Sequence, residues 1–303
     1  MKIVVYGAGA VGAFFGGMLA RYGQEVQFVA RGAQLEALRT SGIRINSTLI
    51  GQLQIPPVPA AATAAHLERA DLVLVCVKAH QTTSILDDLE AVIRDTTVIV
   101  PLQNGVESDE VLAARFGRGR VATAVVYVGA TLESPGVLKH VAPGAIILGA
   151  RLGFDPARLP AVRDALAMSG QRVIISRDIL HERWYKLVWN AGFNTVSAIT
   201  GKTPAAILTI PELRGLVIGV MREVVAVANA QGIMLRESDI SEQIAATDGA
   251  TAITTSMLID RTRGRSMETD ALVGVVVRKG RELGVPTPLS GAMNALLVAV
   301  DSR

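Results

Sequence analysis

The segment "YGAGAVG" puts Gly7, Gly9 and Gly12 in the G-x-G-x-x-G spacing, directly after an apolar run from Lys2 to Tyr6 that reads as a short buried strand. The spacing predicts a strand, a tight turn and a helix, with a second strand arriving at Glu25 to Val29. Each glycine has its own reason: Gly7 for the turn, Gly9 so that the backbone can approach a pyrophosphate, and Gly12 so that helix and strand pack closely. The helix N-terminus adds N–H donors and a partial positive charge. A glycine turn with no ligand is the alternative reading of the same residues.

The punctuation also decides how two uncharged stretches read. Ile3 to Ala20 lacks charge and follows Lys2, but its glycines break it into strand, loop and helix rather than an export signal or anchor. Ile45 to Leu67 contains Pro56, Pro57 and Pro59 with several amides and hydroxyls, so it reads as a strand or hairpin followed by a loop.

Further strand-like runs at 72–77 and 97–101 alternate with helical patterns near 10–22, 32–41, 79–92 and 106–116, which predicts a parallel sheet covered on both faces. After Arg120 the strands Val121–Ala130, Val137–Val141 and Ala145–Leu148 are expected to extend that sheet as hairpins around a Ser134-Pro135-Gly136 turn. A helix near 156–168 and a strand at 172–175 complete this half. From Asp178 onward the pattern is all-helical, near 179–199, 211–231, 238–247, 251–262, 268–283 and 288–301. The expected fold class is therefore α/β: a Rossmann-type dinucleotide domain over 1–177 and a helical domain over 178–303, packed closely around a shared cleft.

With 303 residues, half of them hydrophobic, the chain has enough apolar material for two cores. A net charge of +3 with no long basic run gives a nucleic-acid role little support. Cys76 is the only cysteine, so no intrachain disulfide forms, and its apolar setting suggests a buried structural thiol compatible with a reducing cytoplasm. The four histidines show no metal-ligand spacing, so no metal is expected. No serine has a G-x-S-x-G setting, which argues against a hydrolase. A homodimer is left open, because the sequence does not reveal the oligomeric state.

The second strand ends "QFVAR", with no carboxylate to hydrogen-bond the adenosine ribose. Arg31 offers a planar fork suited to a 2′-phosphate, and Lys78 could add a second positive charge, so NADP is favoured over NAD. Asn104, in "QNG" after the fourth strand, is a candidate contact to nicotinamide or substrate, or a turn filler. In "KLVWNAGFN", Lys186, Asn190 and Asn194 recur at i, i+4 and i+8 on an otherwise apolar helix. A buried lysine there would be a general acid with a lowered pKa, the asparagines holding a polar substrate. The blander alternative is a snorkelling lysine with asparagines bonded across a helix interface.

These motifs, together with "VKAHQT", "SMLID" and "GRSMETD", resemble the 2-dehydropantoate 2-reductase (ketopantoate reductase) family over nearly the whole chain. The resemblance implies a Rossmann domain followed by a helical domain like that of 6-phosphogluconate dehydrogenase. It also implies NADPH-dependent reduction of the C2 ketone of a small 2-keto acid, preferably 2-dehydropantoate, in pantothenate biosynthesis. By motif, Lys186 matches the proton donor, Asn104, Asn190, Asn194 and Ser256 the substrate contacts, and Glu268 the carboxylate beside the nicotinamide ribose and the lysine. Gly7, Ala8, Gly9, Ala10, Val11, Gly12, Arg31, Lys78, Asn104, Ala130 and Glu268 match the cofactor contacts. On its own, Glu268 would read as a helix N-terminal carboxylate stabilised by the macrodipole. Two positions depart from the family pattern, Pro204 and Ile253 standing where amides are common. They keep a different 2-keto acid open as substrate, alongside a non-catalytic NADP-binding sensor.

Overall fold

The computed structural model describes residues 1–249 and 253–301. It divides into two compact units, Met1–Gln103 with Glu107–Ile179, and Asn104–Val106 with Leu180–Arg303.

The first unit begins with β1 (Lys2–Tyr6), α1 (Ala10–Arg21), β2 (Glu25–Val29), α2 (Gly32–Thr40), and a hairpin of β3 (Ile43–Ser47) and β4 (Gly51–Ile55). There follow β5 (Ala60–Ala61), β6 (Leu72–Val75), α3 (Leu86–Glu90), β7 (Val98–Pro101) and α4 (Ser108–Phe116). The unit closes with β8 (Thr123–Ser134), β9 (Val137–Gly149), α5 (Leu159–Ala167) and β10 (Arg172–Ile175). The expected single helix over 79–92 is instead two 3₁₀ turns, Ala79–Gln81 and Thr83–Ile85, leading into the short α3.

The first sheet is parallel, in the order β5-β2-β1-β6-β7. Side-chain alternation sends Ile3 and Val5 to one face, and Val4 and Tyr6 to the other. Leu89, Leu112 and Phe116 of α3 and α4 cover the second face. The first face packs on α1, whose residues from Gly12 to Leu19 are all buried. A helix apolar all round needs cover on both sides. The second cover is a separate sheet, and here the sequence expectation is corrected, because the 123–149 hairpin does not extend the first sheet. Among the described residues the backbone pairing to it is at Val121–Ala122, just before β8, through a bridge to Ile99 and an Ala122 N–H bond to the Ile99 carbonyl at 3.0 Å. Bulges then follow around Gly129. The 13-residue β9 pairs with β8 along one edge, while β3 and β10 share the other end to end. With both its edges occupied, β9 is the centre of its own sheet. Phe14 and Phe15 of α1 lie in one core with Ile45, Leu138 and Ile146 of this second layer.

The second unit is helical: α6 (Ile179–Trp189), α7 (Thr195–Thr200), α8 (Pro204–Leu208), α9 (Pro211–Ala230), α10 (Glu237–Thr247), α11 (Ser256–Thr262), α12 (Val275–Leu283) and α13 (Pro288–Asp301). Two expected helices are interrupted by π turns, at Asn190–Asn194 between α6 and α7 and at Asp270–Gly274 before α12. The helix expected over 251–262 begins at Ser256, capped by the Thr255 side chain, and residues 251–252 lie outside the described residues. The long α9 carries Val217, Val220, Met221, Val224 and Val227 into a core shared with Leu187, Val188 and Phe193. A Cβ on Gly192 would approach Met221 Cγ to 3.0 Å, so the small residue lets the π turn lie against α9. From α10, Gln243 donates to the Tyr185 carbonyl at 2.7 Å and Thr247 accepts from Trp189 Nε1 at 2.9 Å, fixing the rotation of α6. Among the described residues no helix is long and apolar enough to cross a membrane.

Candidate active site

The carboxyl ends of β2, β1 and β6 lie side by side in the first sheet, so the loops after them share one edge. The middle loop is the glycine segment. Gly7 has a φ of 100°, and a Cβ there would meet Val77 at 2.8 Å, so no other residue fits without strain. A Cβ on Gly12 would strike the Gly7 carbonyl oxygen at 2.0 Å. Gly9 is different: nothing lies within 4 Å of its would-be Cβ, and it caps α1 without a side-chain bond. Among the described residues the first-turn N–H groups of α1 have no side-chain acceptor, and the approach to Gly9 is open, which suits a pyrophosphate. Ala8 is buried, and Ala10 and Val11 are partly buried. Cys76 packs beneath Gly12, and burial pushes its thiol pKa up, which makes it an inert filler.

Arg31 and Lys78 flank this loop, one after β2 and one after β6. Arg31 is exposed at the N-cap of α2. Lys78 opens the first 3₁₀ turn, its N–H held by Gln81 Oε1 at 3.2 Å. Gln103, buried, donates to the Val77 carbonyl at 3.0 Å and to Thr82 Oγ1 at 2.8 Å, tying the β7 end to the β6 loop. Ala130 stands apart in the second sheet, opposite His140 beside the β8 bulge, although it packs on the same apolar cluster as Ala8, Ala10 and Val11.

In the second unit three predicted residues form one chain of hydrogen bonds. Lys186 Nζ donates to Asn104 Oδ1 at 2.9 Å, and Asn104 Nδ2 donates to Glu268 Oε2 at 3.1 Å. Asn104 reaches this position on a turn that only glycine completes, since Gly105 has a φ of 87° and a Cβ would meet the Ala271 carbonyl at 2.9 Å. Arg183, one turn before Lys186 and only 4% exposed, donates to the Gly105 carbonyl at 2.9 Å and holds that turn. Sequence reasoning missed Arg183, although its i−3 spacing from Lys186 on a mostly apolar helix was a usable signal.

The electrostatics make Lys186 an acid of ordinary working pH. A part of its side chain reaches the surface, yet the ammonium is surrounded by enough protein that lost hydration lowers its pKa. Glu268 opposes that fall, Arg183 adds to it, and the result is about 8. Glu268 is 6% exposed and accepts at the N-terminal end of the helix that continues through the π turn into α12. Just before it, the Met267 N–H bonds to both carboxylate oxygens of Asp301, at 3.1 and 3.3 Å.

The asparagine file divides into two roles. Asn194, 2% exposed, donates to Asn190 Oδ1 at 3.0 Å and accepts from Ser256 Oγ and the Met257 N–H, both at 3.3 Å. It is a joint between the π turn and α11, in keeping with the blander reading. Asn190 lies one turn beyond Lys186, and among the described residues its Nδ2 has no protein partner, so a donor remains for a ligand. Pro204 is the first residue of α8, where proline fits without loss and Thr203 caps the helix. Ile253 is 41% exposed.

Comparison with known proteins agrees with this architecture. Residues 3–153 match the family model described as "Ketopantoate reductase PanE/ApbA", and residues 178–301 match its C-terminal counterpart. A 2-dehydropantoate 2-reductase of Mesorhizobium japonicum is 34% identical, covering 98% of this chain and 97% of its own. The crystal structure of 2-dehydropantoate 2-reductase from Geobacter metallireducens superposes with a TM-score of 0.94 at 31% identity, covering 99% of each chain. A D-mandelate dehydrogenase solved with NADH and anilino(oxo)acetate superposes at 0.93, but at 24% identity this likeness bears on the fold alone. Matched along almost its full length, the chain belongs to the ketopantoate reductase family, whose members are NAD(P)-dependent oxidoreductases acting on a CH–OH group.

Proposed function

We propose that this protein reduces 2-dehydropantoate to pantoate with NADPH, Lys186 giving the proton. The observation that carries the proposal is the Lys186–Asn104–Glu268 chain, which joins a lysine of lowered pKa to a buried carboxylate through one amide. When bound, the reduced nicotinamide supplies a hydride to the C2 carbonyl carbon. The Lys186 ammonium stabilises the negative charge developing on the carbonyl oxygen and then transfers its proton there, ending neutral. Glu268 keeps the lysine charged in the resting enzyme, and Asn104 fixes the direction of both side chains. Asn190 Nδ2 offers the substrate a neutral donor that costs little to bury. The open glycine loop suits the pyrophosphate, and Arg31 and Lys78 suit a 2′-phosphate, which supports NADP over NAD. This chemistry fits a cytoplasmic enzyme.

The test is NADPH and NADH oxidation with 2-dehydropantoate against a panel of 2-keto acids. Wild type should prefer NADPH and 2-dehydropantoate, and Lys186→Ala should lower kcat on the order of 10²-fold or more with little change in NADPH affinity. Near-normal kcat in that variant would remove Lys186 from the mechanism. A faster reaction with another keto acid would instead support the second reading, which Pro204 and Ile253 favour because neither supplies a polar side chain.

A further inference from the structure

The end of β2 carries no carboxylate, but the fold brings one to it from α3. Tyr6 closes β1 beside Val29 in register, two residues before Arg31. Its ring is buried on the α3 side of the first sheet, and its hydroxyl donates to Asp88 Oδ2 at 2.5 Å. Asp88 also accepts the Thr63 hydroxyl and the Ala64 N–H, the latter at 3.1 Å on Oδ1 and 3.0 Å on Oδ2. Three donors use up its accessible lone pairs, so it is poorly placed to take ribose hydroxyls as a strand-end acid would. Burial opposes its ionisation, but the bonds from Thr63, Tyr6 and Ala64 and the charge of Arg31 hold its carboxyl below the usual range. Burial, and next the bond to Asp88, push the Tyr6 hydroxyl pKa up, so it remains a donor. Arg31 stands two residues beyond the strand partner of Tyr6, at the N-cap of α2, and its charge acts on both groups.

We propose that Tyr6 and Asp88 are positioning residues for cofactor selection: Asp88 fixes the Tyr6 hydroxyl, and that hydroxyl seats the Arg31 guanidinium so that it meets a phosphate on the adenosine ribose. An exposed arginine at a helix N-cap otherwise samples many rotamers, and a seat lowers the entropy lost when it grips an anion. The Asp88 charge is partly offset by the dipoles of its three donors and by the charge of Arg31, which limits its repulsion of the phosphate. The inference rests on the NADP reading above.

The experiment is calorimetric binding of 2′,5′-ADP and of 5′-ADP to the full chain, as wild type, Arg31→Ala, Tyr6→Phe and Asp88→Asn. Tyr6→Phe removes one hydroxyl and keeps the buried ring, so it remains informative if Asp88→Asn does not fold. Wild type should prefer 2′,5′-ADP, and Arg31→Ala should abolish the preference. Tyr6→Phe should weaken 2′,5′-ADP by roughly twofold to tenfold, as for one lost hydrogen bond, and leave 5′-ADP unchanged. An unchanged preference in Tyr6→Phe, or tighter 2′,5′-ADP binding in Asp88→Asn, overturns the inference while the NADP reading stands. No preference in wild type, or a preference surviving Arg31→Ala, overturns the NADP reading and this inference with it.

Discussion

If Lys186 is the proton donor, its titration should be visible in catalysis and should respond in opposite directions to its two charged neighbours. The fall from the ordinary lysine value of 10.5 to about 8 corresponds to roughly 3 kcal/mol of relative favour for the neutral amine, at about 1.4 kcal/mol per pKa unit. Lost hydration contributes most, Glu268 works against it, and Arg183 works with it. With a pKa of about 8, roughly nine-tenths of the lysine is protonated at pH 7 and about one-tenth at pH 9. In the reduction direction kcat should therefore be level below pH 7 and fall about tenfold per pH unit well above 8. Glu268→Gln should move the midpoint down by about one, since a supporting negative charge is lost. Arg183→Leu should move it up by a smaller amount, because Arg183 is the weaker influence, and Arg183→Lys should leave it near the wild-type value. The assay is initial-rate cofactor oxidation from pH 6 to 10, with a deuterium isotope effect from 4-deuterated cofactor confirming that chemistry limits the rate. A flat profile under isotope-sensitive conditions, or the same direction of movement in both charge-removing variants, would refute the reasoning.

Three other outcomes follow from the packing. His140 is 2% exposed, lies 4.5 Å from the Phe14 ring, bonds Ser47 at 2.8 Å, and burial lowers its pKa. The unfolded chain then binds the proton more readily, so stability is present above about pH 6.5 and is lost as pH falls through and below that value. Urea midpoints at pH 7.5 and 5.5 should diverge more in wild type than in His140→Asn. Gly12→Ala drives a Cβ into the Gly7 carbonyl, and should cost about 1–3 kcal/mol in urea unfolding and abolish detectable dinucleotide binding by calorimetry. Asn194→Ala strands the buried Met257 N–H and the Asn190 side-chain carbonyl, leaving the exposed Ser256 hydroxyl to water, and should destabilise by about 1–3 kcal/mol, whereas Asn190→Ala should chiefly raise KM for the keto acid.

Local chemistry made part of this legible in advance. The glycine loop, the apolar strand runs 2–6, 25–29 and 72–75, and the helices at 211–230 and 288–301 announce themselves because their signals are local and close in sequence. The second sheet does not, because β3 and β10 reach β9 across long separations and nothing in a short apolar run says which edge it will join. The π turns escaped for a related reason, since one extra residue in a helical turn leaves the apolar pattern nearly intact. Lys186 stood out as a charge in apolar company, whereas Glu268, in the polar run "GRSMETD", was singled out only through the family resemblance. Asp88 did not, because it lies beside Asp87 in "LDDLE" and only the fold separates the two, with Asp87 98% exposed at its side chain and Asp88 bonded to Tyr6.

Asn104–Val106 belong by their contacts to the helical unit, though the chain on both sides of them runs in the first unit. The helical half is therefore not a contiguous gene segment. Expressed from residue 180 onward it would keep Lys186 and Glu268 and lack the amide that joins them. A chimaera cut near residue 178 would pair one protein's lysine and carboxylate with another's connecting amide. Exchange of substrate preference between relatives would need two crossovers more, one on each side of this three-residue insert.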